Sequence, residues 1–369
     1  MSVVSLSSRE RLLRVMRGEP LDRVPIRLWG IDRPGPAPRP EWQPLHDLAE
    51  RYGLDMLPSW WDPHVSQNVE IVVEERDTAD PEWYEQHTTY KTPAGDLTRI
   101  CALSRADKPG YMLKHLIATV ADARRWLSLP EPDLPNPAGF QPFLDALGDR
   151  ALGMCGLTEA MYTVNDATGS ELWGYWLYDE RALLHEMVAK AHAHDMKVVK
   201  HLLAHGVGPV FGWVGPELCI PPLASPADFA DFCTRYDQPL IDEIHQAGGL
   251  VWVHCHGDMH PVLERFVEMG VDCLNPIEPP PIGGLTLADA KRRAAGRMTL
   301  EGGIEVGDFE LCGAAEVAET TARLMEQGKP GGRFILCPSS SHSHWPDMAP
   351  HIAENYRVFV ETAVALAEY

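Results

Sequence analysis

The sequence lacks several features that mark whole classes of protein. Its eight cysteines are scattered and form no C-x-x-C pair, which argues against a zinc knuckle or a redox dithiol. With 32 Lys and Arg against 53 Asp and Glu, the net charge of −21 offers no electrostatic footprint for nucleic acid or an anionic membrane. No apolar run approaches a bilayer span, and the amino terminus reaches its arginines too early for a secretory signal. We therefore expect a cytoplasmic protein without nucleic acid or membrane partners; its oligomeric state is left open.

What the sequence does contain is an alternation of short, β-rich apolar runs with helical patterns, which indicates a parallel sheet with crossover helices. The predicted strands are VPIRLW (24–29), DMLPSW (55–60), ALGMCG (151–156), GPVFGW (208–213), LVWVHC (250–255), CLNPIE (273–278), MTLEGG (298–303) and FILCPS (334–339). The predicted helices between the later strands are 179–205, 226–247, 259–269, 286–294 and 314–327. Eight strands with intervening helices predict an α/β fold, a single (β/α)₈ TIM barrel over residues 1–369, with its active site at the carboxyl ends of the strands.

One long stretch departs from the alternation. Residues 62–150 hold VEIVVEERD, QHTTYKTPAGDLTRICAL and the proline-rich LPEPDLPNPAGFQP. These patterns are typical of β-hairpins and turns. We interpret the stretch as a hairpin-bearing insertion that packs on the barrel, and not as a second domain.

Polar groups with metal-binding chemistry stand at three predicted strand ends. In an extended strand, residues i and i+2 share a face, so His254 and His256 would point together while Cys255 points away. Glu278 ends the next strand, and Cys337 lies at the end of the last one. Two imidazoles, a carboxylate and a thiolate form a tetrahedral set suited to Zn²⁺. Each residue alone is more often a hydrogen-bonded structural group, so the prediction depends on their convergence.

Several stretches together resemble the uroporphyrinogen decarboxylase superfamily across nearly the whole chain. They are RERLLRVMRGEPLDRVPI, YKTPAGDL, GPELCIPPLASPADFADF, VHCHGD, MGVDCLNPIEPPPIGG and ILCPSSSHSHWPDMAPHIAENYRVFVETA. The superfamily contains the decarboxylase and zinc methyltransferases that act on methylcorrinoids, such as the coenzyme M methyltransferases. Cobalamin-independent methionine synthase is similar in fold and zinc site.

The resemblance implies a set of zinc ligands. In the methyltransferases these are a His-x-Cys pair, in some a Glu on the following strand, and a distant Cys. His254 matches the first, Glu278 follows it by 24 residues as in the methionine synthase pattern, and Cys337 matches the last. His256 stands where the family has Cys, which is the one departure.

The resemblance also argues against the decarboxylase's own substrate. The decarboxylase carries an Arg-x-x-Gly-Arg-Tyr motif that binds the carboxylates of the porphyrinogen. The corresponding stretch here, RLWGIDRPGP, keeps Arg27 and Arg33 but lacks the motif. We expect Arg33 to bind a different substrate, within an aromatic pocket walled by Trp29, Trp60, Trp61 and Trp173 with Asp62 as a polar group. Tryptophans at strand ends also serve simply to cover a core.

Three mechanisms remain open. The resemblance favours methyl transfer to a thiol acceptor activated by zinc, with a corrinoid (cobalamin) carried by a partner protein as the methyl donor. Glu278 would be catalytic in this mechanism, by leaving or loosening from the metal as the thiol enters. The two histidines and Glu278 would equally suit a zinc hydrolase or lyase that activates water, with Asp62, Asp258 or His342 as general base. The third mechanism is metal-free decarboxylation of a small carboxylated substrate. A binding protein without catalysis is the remaining alternative, and the polar groups at several strand ends weigh against it.

Overall fold

A computed structural model describes residues 5–106, 108–342 and 348–369, and seven parallel strands form its central sheet. In sheet order these are β1 (Ser59–Trp60), β6 (Met154–Gly156), β7 (Val210–Val214), β8 (Leu250–His254), β9 (Cys273–Ile277), β10 (Thr299–Ile304) and β11 (Phe334–Pro338). Every neighbouring pair is parallel. Seven of the eight predicted strands therefore lie where their apolar runs placed them.

The eighth predicted strand, residues 24–29, closes the barrel through a single β-bridge and not through a full ladder of hydrogen bonds. Ile26 forms a single parallel bridge with Leu336 of β11, and the Ile26 carbonyl accepts a hydrogen bond from the Asp55 N–H at 2.8 Å. The segment thus lies between β11 and the residues that lead into β1. Its ladder stays short because the Ile26 N–H donates to a side-chain oxygen of Asp55, at 3.1 Å, instead of to a neighbouring strand. The chain has the predicted TIM-barrel fold.

Fourteen α-helices accompany the sheets in the part of the chain that the structure describes. They are α1 (Ser8–Arg17), α2 (Gln43–Tyr52), α3 (Val120–Leu127), α4 (Phe140–Leu147), α5 (Ala160–Thr168), α6 (Ser170–Asp179), α7 (Arg181–Ala204), α8 (Pro226–Phe229), α9 (Arg235–Gln246), α10 (Leu263–Met269), α11 (Leu287–Ala294), α12 (Asp308–Leu311), α13 (Ala314–Gly328) and α14 (Pro350–Leu366). None of the described helices is long and apolar enough to cross a membrane.

Three predicted helices differ from the observed ones. The helix predicted at 226–247 is divided by a π-helical turn at Ala230–Thr234. The one predicted at 259–269 begins only at Leu263. The one predicted at 179–205 begins at Arg181, because Glu180 has a non-helical backbone between α6 and α7.

Helix α1 determines which end of the barrel is accessible. Leu12, Val15 and Met16 of α1 are fully buried in one apolar cluster with Val210 and Leu250, which begin β7 and β8. The Thr299 hydroxyl, where β10 begins, also donates to the Val15 carbonyl at 2.8 Å. The amino-terminal end of the barrel is therefore covered, and a site must lie towards the carboxyl ends of the strands.

The insertion forms a second sheet of four antiparallel strands, in the order β2 (Ile71–Asp77), β3 (Trp83–Thr92), β4 (Gly95–Ser104) and β5 (Tyr111–Lys114). The predicted hairpin is the β3–β4 pair, which runs without a break from Trp83 opposite Ser104 to Thr92 opposite Gly95. Leu97, Ile117 and Trp126 of this region belong to the same buried cluster as the outer face of the barrel. The inserted sheet thus packs on the barrel.

Candidate active site

Three of the four predicted metal ligands meet at the carboxyl ends of β8 and β9. The rings of His254 and His256 have centroids 4.5 Å apart and are almost perpendicular. His256 Nδ1 lies 2.8 Å from Glu278 Oε1, and the Gly257 N–H donates to Glu278 Oε2 at 2.6 Å. Cys255, between the histidines, is fully buried in the core, as the alternation of a strand predicts.

His254 is held as a neutral imidazole. Its Nδ1 donates to Asn275 Oδ1 at 2.7 Å, which leaves the lone pair on Nε2. Trp29 stacks on the ring, with centroids 4.9 Å apart. Burial lowers the pKa of His254 to about 4, because the charged form is poorly solvated beside Trp29 and Trp252, which also contact each other. Nε2 is therefore available as a base or a metal ligand at neutral pH.

His256 differs from its neighbour. Its hydrogen bond to Glu278 raises its pKa, against the opposing effect of partial burial. The His256 side chain is 38% exposed, whereas Glu278 is almost fully buried. The pair therefore combines a solvent-accessible imidazole with a carboxylate fixed by two hydrogen bonds, and it can hold or release a proton.

Two more carboxylates, those of Glu217 and Glu305, interact with the His256–Glu278 pair. Burial raises the pKa of Glu217, and the nearby Glu278 carboxylate adds to the effect. Burial also raises the pKa of Glu305, whose Oε2 accepts a hydrogen bond from the Ser339 hydroxyl at 2.8 Å. Each of them interacts electrostatically with His256 and Glu278. The mouth of the barrel is therefore acidic and favours a cation over an anion.

Cys337, the fourth predicted ligand, belongs to a polar cluster inside the barrel. It is fully buried, and its thiol interacts with Glu301. Glu301 Oε1 pairs with Arg27, and Oε2 accepts from the Trp252 indole N–H at 2.8 Å. Arg27 also pairs with Asp32 at 2.7 Å. Burial raises the pKa of the Cys337 thiol, and the Glu301 carboxylate adds to the effect, so in this arrangement the thiol is protonated.

The fit of this arrangement to zinc is partial. Across residues 5–106, 108–342 and 348–369, no group of three or more His, Cys, Asp or Glu side chains is arranged to hold a metal. The donor chemistry nevertheless fits, because His254 offers a neutral Nε2 whose other ring nitrogen is fixed by Asn275, as is typical of zinc-binding histidines. His256 and Glu278 supply a second imidazole and a carboxylate beside it.

The predicted catalytic residues Asp62 and His342 form their contacts with residues outside the group of His254, His256 and Glu278. Both carboxylate oxygens of Asp62 accept backbone N–H groups, from His64 at 3.0 Å and from Asn136 at 2.7 Å. These two bonds lower the pKa of Asp62. His342 is buried with its Nδ1 3.9 Å from Glu310 Oε1, and burial lowers its pKa. Residues 343–347, which follow it in the chain, lie outside the described residues.

The predicted substrate-binding residues are divided among separate places. Trp29 covers His254, while Trp60 and Trp61 line a cavity beside the inserted sheet. Trp173 is fully buried and meets the edge of a phenylalanine, Phe232, at 5.2 Å. The Arg33 guanidinium lies 5.9 Å from the ring centre of Phe143. The structure thus places only Trp29 against the histidines.

Sequence reasoning did not single out four residues of the site. Asn275 had a visible signal, a polar side chain inside the strand CLNPI (β9), and Glu301 had the same signal inside TLEGGI (β10). A buried strand that carries a polar residue must provide it with a partner. Glu217 and Glu305 follow strands, in GPELC and GGIEVG. Nothing in these stretches marks them as site residues, and only the fold shows that they interact with His256 and Glu278.

Comparisons with known proteins relate the chain to solved structures and to one family. Among solved structures, a methyltransferase from Methanosarcina mazei is similar in fold, with a TM-score of 0.58 and 15% identity over 97% of this chain and 98% of that one. An L-ribulose 3-epimerase matches with a TM-score of 0.37 and 14% identity over 68% of this chain and 91% of that one. No curated protein matches the sequence. The family model for uroporphyrinogen decarboxylase (URO-D) matches residues 153–365, more than half of the chain. The chain therefore belongs to the uroporphyrinogen decarboxylase family of enzymes.

Proposed function

We propose that this protein is a zinc-dependent methyltransferase that methylates a thiol acceptor, with a methylcorrinoid carried by a partner protein as the donor. The observation that carries the proposal is the neutral His254, fixed by Asn275 and adjacent to the His256–Glu278 pair at the strand ends. The similarity in fold to the Methanosarcina methyltransferase, which spans nearly all of both chains, supports the same reading.

The residues that would hold zinc are His254, His256, Glu278 and Cys337. Bound zinc would lower the pKa of an acceptor thiol, so that the thiol is present as a thiolate at neutral pH. Trp29 and Asn275 fix the His254 ring, and the Gly257 N–H fixes one oxygen of Glu278. Cys337 would have to leave its contact with Glu301 and lose its proton in order to join the set.

The surface around the barrel mouth supports a protein as the methyl donor. Large apolar side chains are exposed on segments that follow or end the barrel strands: Trp61, Val214, Leu223, Ile282 and Leu311. Leu311 alone is 87% exposed. Contiguous apolar surface marks contact sites, and exposed apolar side chains at the strand ends would suit a partner that brings its cofactor to the mouth.

The electrostatics of the mouth weigh against a polyanionic substrate such as uroporphyrinogen. Glu217, Glu278 and Glu305 surround His256. Arg27, the arginine retained from the decarboxylase region, is buried and already paired with Glu301 and Asp32. A carboxylate entering this space would meet negative charge, and Arg27 could bind it only by giving up a buried partner.

A second candidate function is a hydrolase or lyase reaction, and His256 is the observation that favours it. An imidazole in place of the family's cysteine gives a ligand set of two histidines and a glutamate, which is typical of zinc sites that activate water. The raised pKa of His256 beside Glu278 also makes it a competent proton donor in a metal-free decarboxylation.

The first experiment measures metal content. Protein purified without added zinc should contain about one zinc per chain, because the donor set holds one ion of this type. Cys337→Ser should then reduce zinc affinity far more than the matched Cys255→Ser, since both thiols are fully buried but Cys255 packs in the apolar core. Metal-free protein, or equal effects of the two substitutions, would overturn the zinc assignment.

The second experiment measures the reaction. The zinc-loaded protein is incubated with methylcobalamin and 2-mercaptoethanol, and loss of the methyl–cobalt absorbance is followed together with thioether formation. We expect thioether in proportion to methyl loss, and binding of the thiol at the metal in the absence of donor. Zinc-loaded protein that binds no thiol would instead favour the hydrolase or lyase.

A further inference from the structure

A cavity of about 530 Å³ lies between the inserted sheet and α7, beside the end of β6. Its walls are largely apolar and include Trp60, Trp61, Trp126 and Leu202. The lining contains none of His254, His256, Glu278 and Cys337, so the cavity is separate from the proposed metal site. A cleft of this volume with apolar walls and a few polar groups is typical of sites for small organic molecules.

One polar group of the lining, Asp195 of α7, is left with an unused oxygen. The residue is 6% exposed, and its Oδ1 accepts a hydrogen bond from the Thr158 hydroxyl at 2.7 Å. Its Oδ2 is buried and accepts no hydrogen bond from the described residues. A buried carboxylate oxygen without a donor costs free energy, which a ligand with an N–H group would recover.

The basic groups of the cavity are already engaged. Lys190 donates to the carbonyls of Leu127 and Leu129, at 2.7 and 2.6 Å. Lys197 pairs with Glu131 at 2.6 Å, and His194 lies 3.2 Å from the same carboxylate. A ligand anion would therefore have to compete for these cations, whereas a ligand cation would meet a carboxylate oxygen that has no other partner.

Aromatic side chains add to this preference for a cation. Trp61 is 51% exposed and lines the cavity together with Trp60. The face of Trp126 shows the same chemistry in use, because the Lys190 ammonium lies 5.6 Å from its ring centre. Tryptophan attracts cations more strongly than the other aromatic residues do.

We propose that this cavity binds a protonated amine on an apolar chain, with the ammonium group at Asp195 and the chain along Trp60, Trp61 and Leu202. Oδ2 has almost no accessible surface, so the Asp195 side chain would have to turn this oxygen towards the cavity. The ammonium N–H groups would then satisfy Oδ2 and neutralise the carboxylate, and the chain would cover apolar wall. This binding is independent of the proposed methyl transfer.

The test is calorimetric titration of the full-length protein at about pH 8 with three probes of equal chain length: hexylammonium, hexyltrimethylammonium and 1-hexanol. Hexylammonium should bind best, and 1-hexanol about tenfold or more weakly, since a hydrogen bond to a charged group contributes that much. Hexyltrimethylammonium should fall between them, because it carries the charge but has no N–H group.

Matched variants locate the site. Asp195→Asn should weaken hexylammonium binding about tenfold or more and leave hexanol binding nearly unchanged. Asp133→Asn is the control, because Asp133 lines the same cavity but is exposed and already accepts from Asn68 at 2.9 Å. Ala193→Phe, at an exposed position of the lining, should weaken all three probes by filling the cavity, even if Asp195→Asn fails to fold.

Three outcomes would overturn the proposal. Wild-type protein that binds no hexylammonium at millimolar concentration excludes the site. Equal affinity for hexylammonium and 1-hexanol would mean an apolar cavity without a cation preference. Unchanged hexylammonium binding in folded Asp195→Asn, or in Ala193→Phe, would place the amine elsewhere on the protein.

Discussion

The barrel interior and the barrel mouth contain similar polar side chains. The two regions differ in whether those side chains keep a hydrogen-bonding atom without a partner. Inside, both oxygens of Glu301 are engaged, one by Arg27 and one by Trp252. At the mouth, His254 is engaged through one ring nitrogen only, and His256 is partly exposed. The comparison separates two roles that look alike in sequence: a buried charge with its oxygens satisfied serves the fold, and a fixed side chain with a free lone pair serves chemistry.

The side cavity gives a third case. Asp195 is buried like Glu301, but only one of its oxygens has a donor. Asp195 is therefore buried like the residues of the interior, but like the residues of the mouth it keeps one atom free to bind another group. Substitutions at these three places should separate stability, ligand binding and catalysis.

The largest effect is expected from Glu301→Ala. This change leaves Arg27 buried without its interior partner, and such a loss typically reduces the free energy of unfolding by about 3–5 kcal/mol. Glu186→Ala is the control, because Glu186 pairs with Arg124 on the surface, where ion pairs contribute less than about 1 kcal/mol. Denaturant unfolding of both variants provides the measurement. Similar losses would mean that the interior pair is not a structural element.

The sequence predicted where the strands lie better than it predicted how far along the barrel axis their residues lie. Alternation and strand ends were enough to bring His254, His256 and Glu278 together. The same reasoning put Cys337 at the rim, whereas its thiol contacts Glu301 in the interior. A strand pattern shows which face a residue occupies, but its height along the barrel axis depends on the stagger between strands, and a single sequence does not contain that stagger.

The second-largest effect is a loss of folding stability as the pH rises, caused by the ionisation of Asp195. Burial raises the pKa of this carboxyl group from 3.8 to about 7 in the folded protein. Its contribution to stability is therefore complete below about pH 4, and it is lost as the pH rises towards and through 7. The loss is on the order of 4 kcal/mol, since one pKa unit corresponds to about 1.4 kcal/mol. Buried Glu159 and Asp237 act in the same direction, since burial and the negative charge of Asp195 raise their pKa values too.

Asp195→Asn should flatten this dependence, because the amide does not titrate. Unfolding free energies measured at about pH 4 and pH 8 give the slope for each protein. Asp133→Asn should keep the wild-type slope, since Asp133 is exposed. Parallel curves for the wild type and Asp195→Asn would contradict the raised pKa and remove the reason for an unsatisfied carboxylate in the cavity.

A smaller effect is expected from Asn275→Ala. The substitution removes the group that fixes the His254 tautomer, and the loss of such a partner typically lowers metal affinity about 10–100-fold. Competition with a zinc chelator measures the change. Asn165→Ala is the matched control, because Asn165 is equally buried but lies on α5. Equal zinc affinity in the two variants would mean that His254 is not a ligand.

The limits of sequence reasoning differ for the fold and for the cavity. The segment at 24–29 was recognised as a strand, yet it keeps a single bridge because the Asp55 side chain takes up the Ile26 N–H, a contact that no local pattern shows. Asp195 gave no signal at all. In AHAHDMKVV it is one polar residue of a helix among several, and it is buried only because α7 packs against the loop after β6, which carries Thr158.

The smallest effect, and the one that separates the two zinc functions, is expected from His256→Cys. The change restores the family's cysteine, and it removes the imidazole that contacts Glu278 Oε1 while Gly257 still holds Oε2. If the site activates a thiol, an added thiolate ligand increases electron density at the metal, so methyl transfer should stay within about threefold of the wild type. If it activates water, the same ligand lowers Lewis acidity, and hydrolysis near neutral pH should decrease. Activity is compared at matched zinc occupancy, with thiol binding as an independent measurement. A large loss of activity together with failure to bind any thiol would favour the hydrolase or lyase, because only there does the histidine have an advantage over the cysteine it replaces.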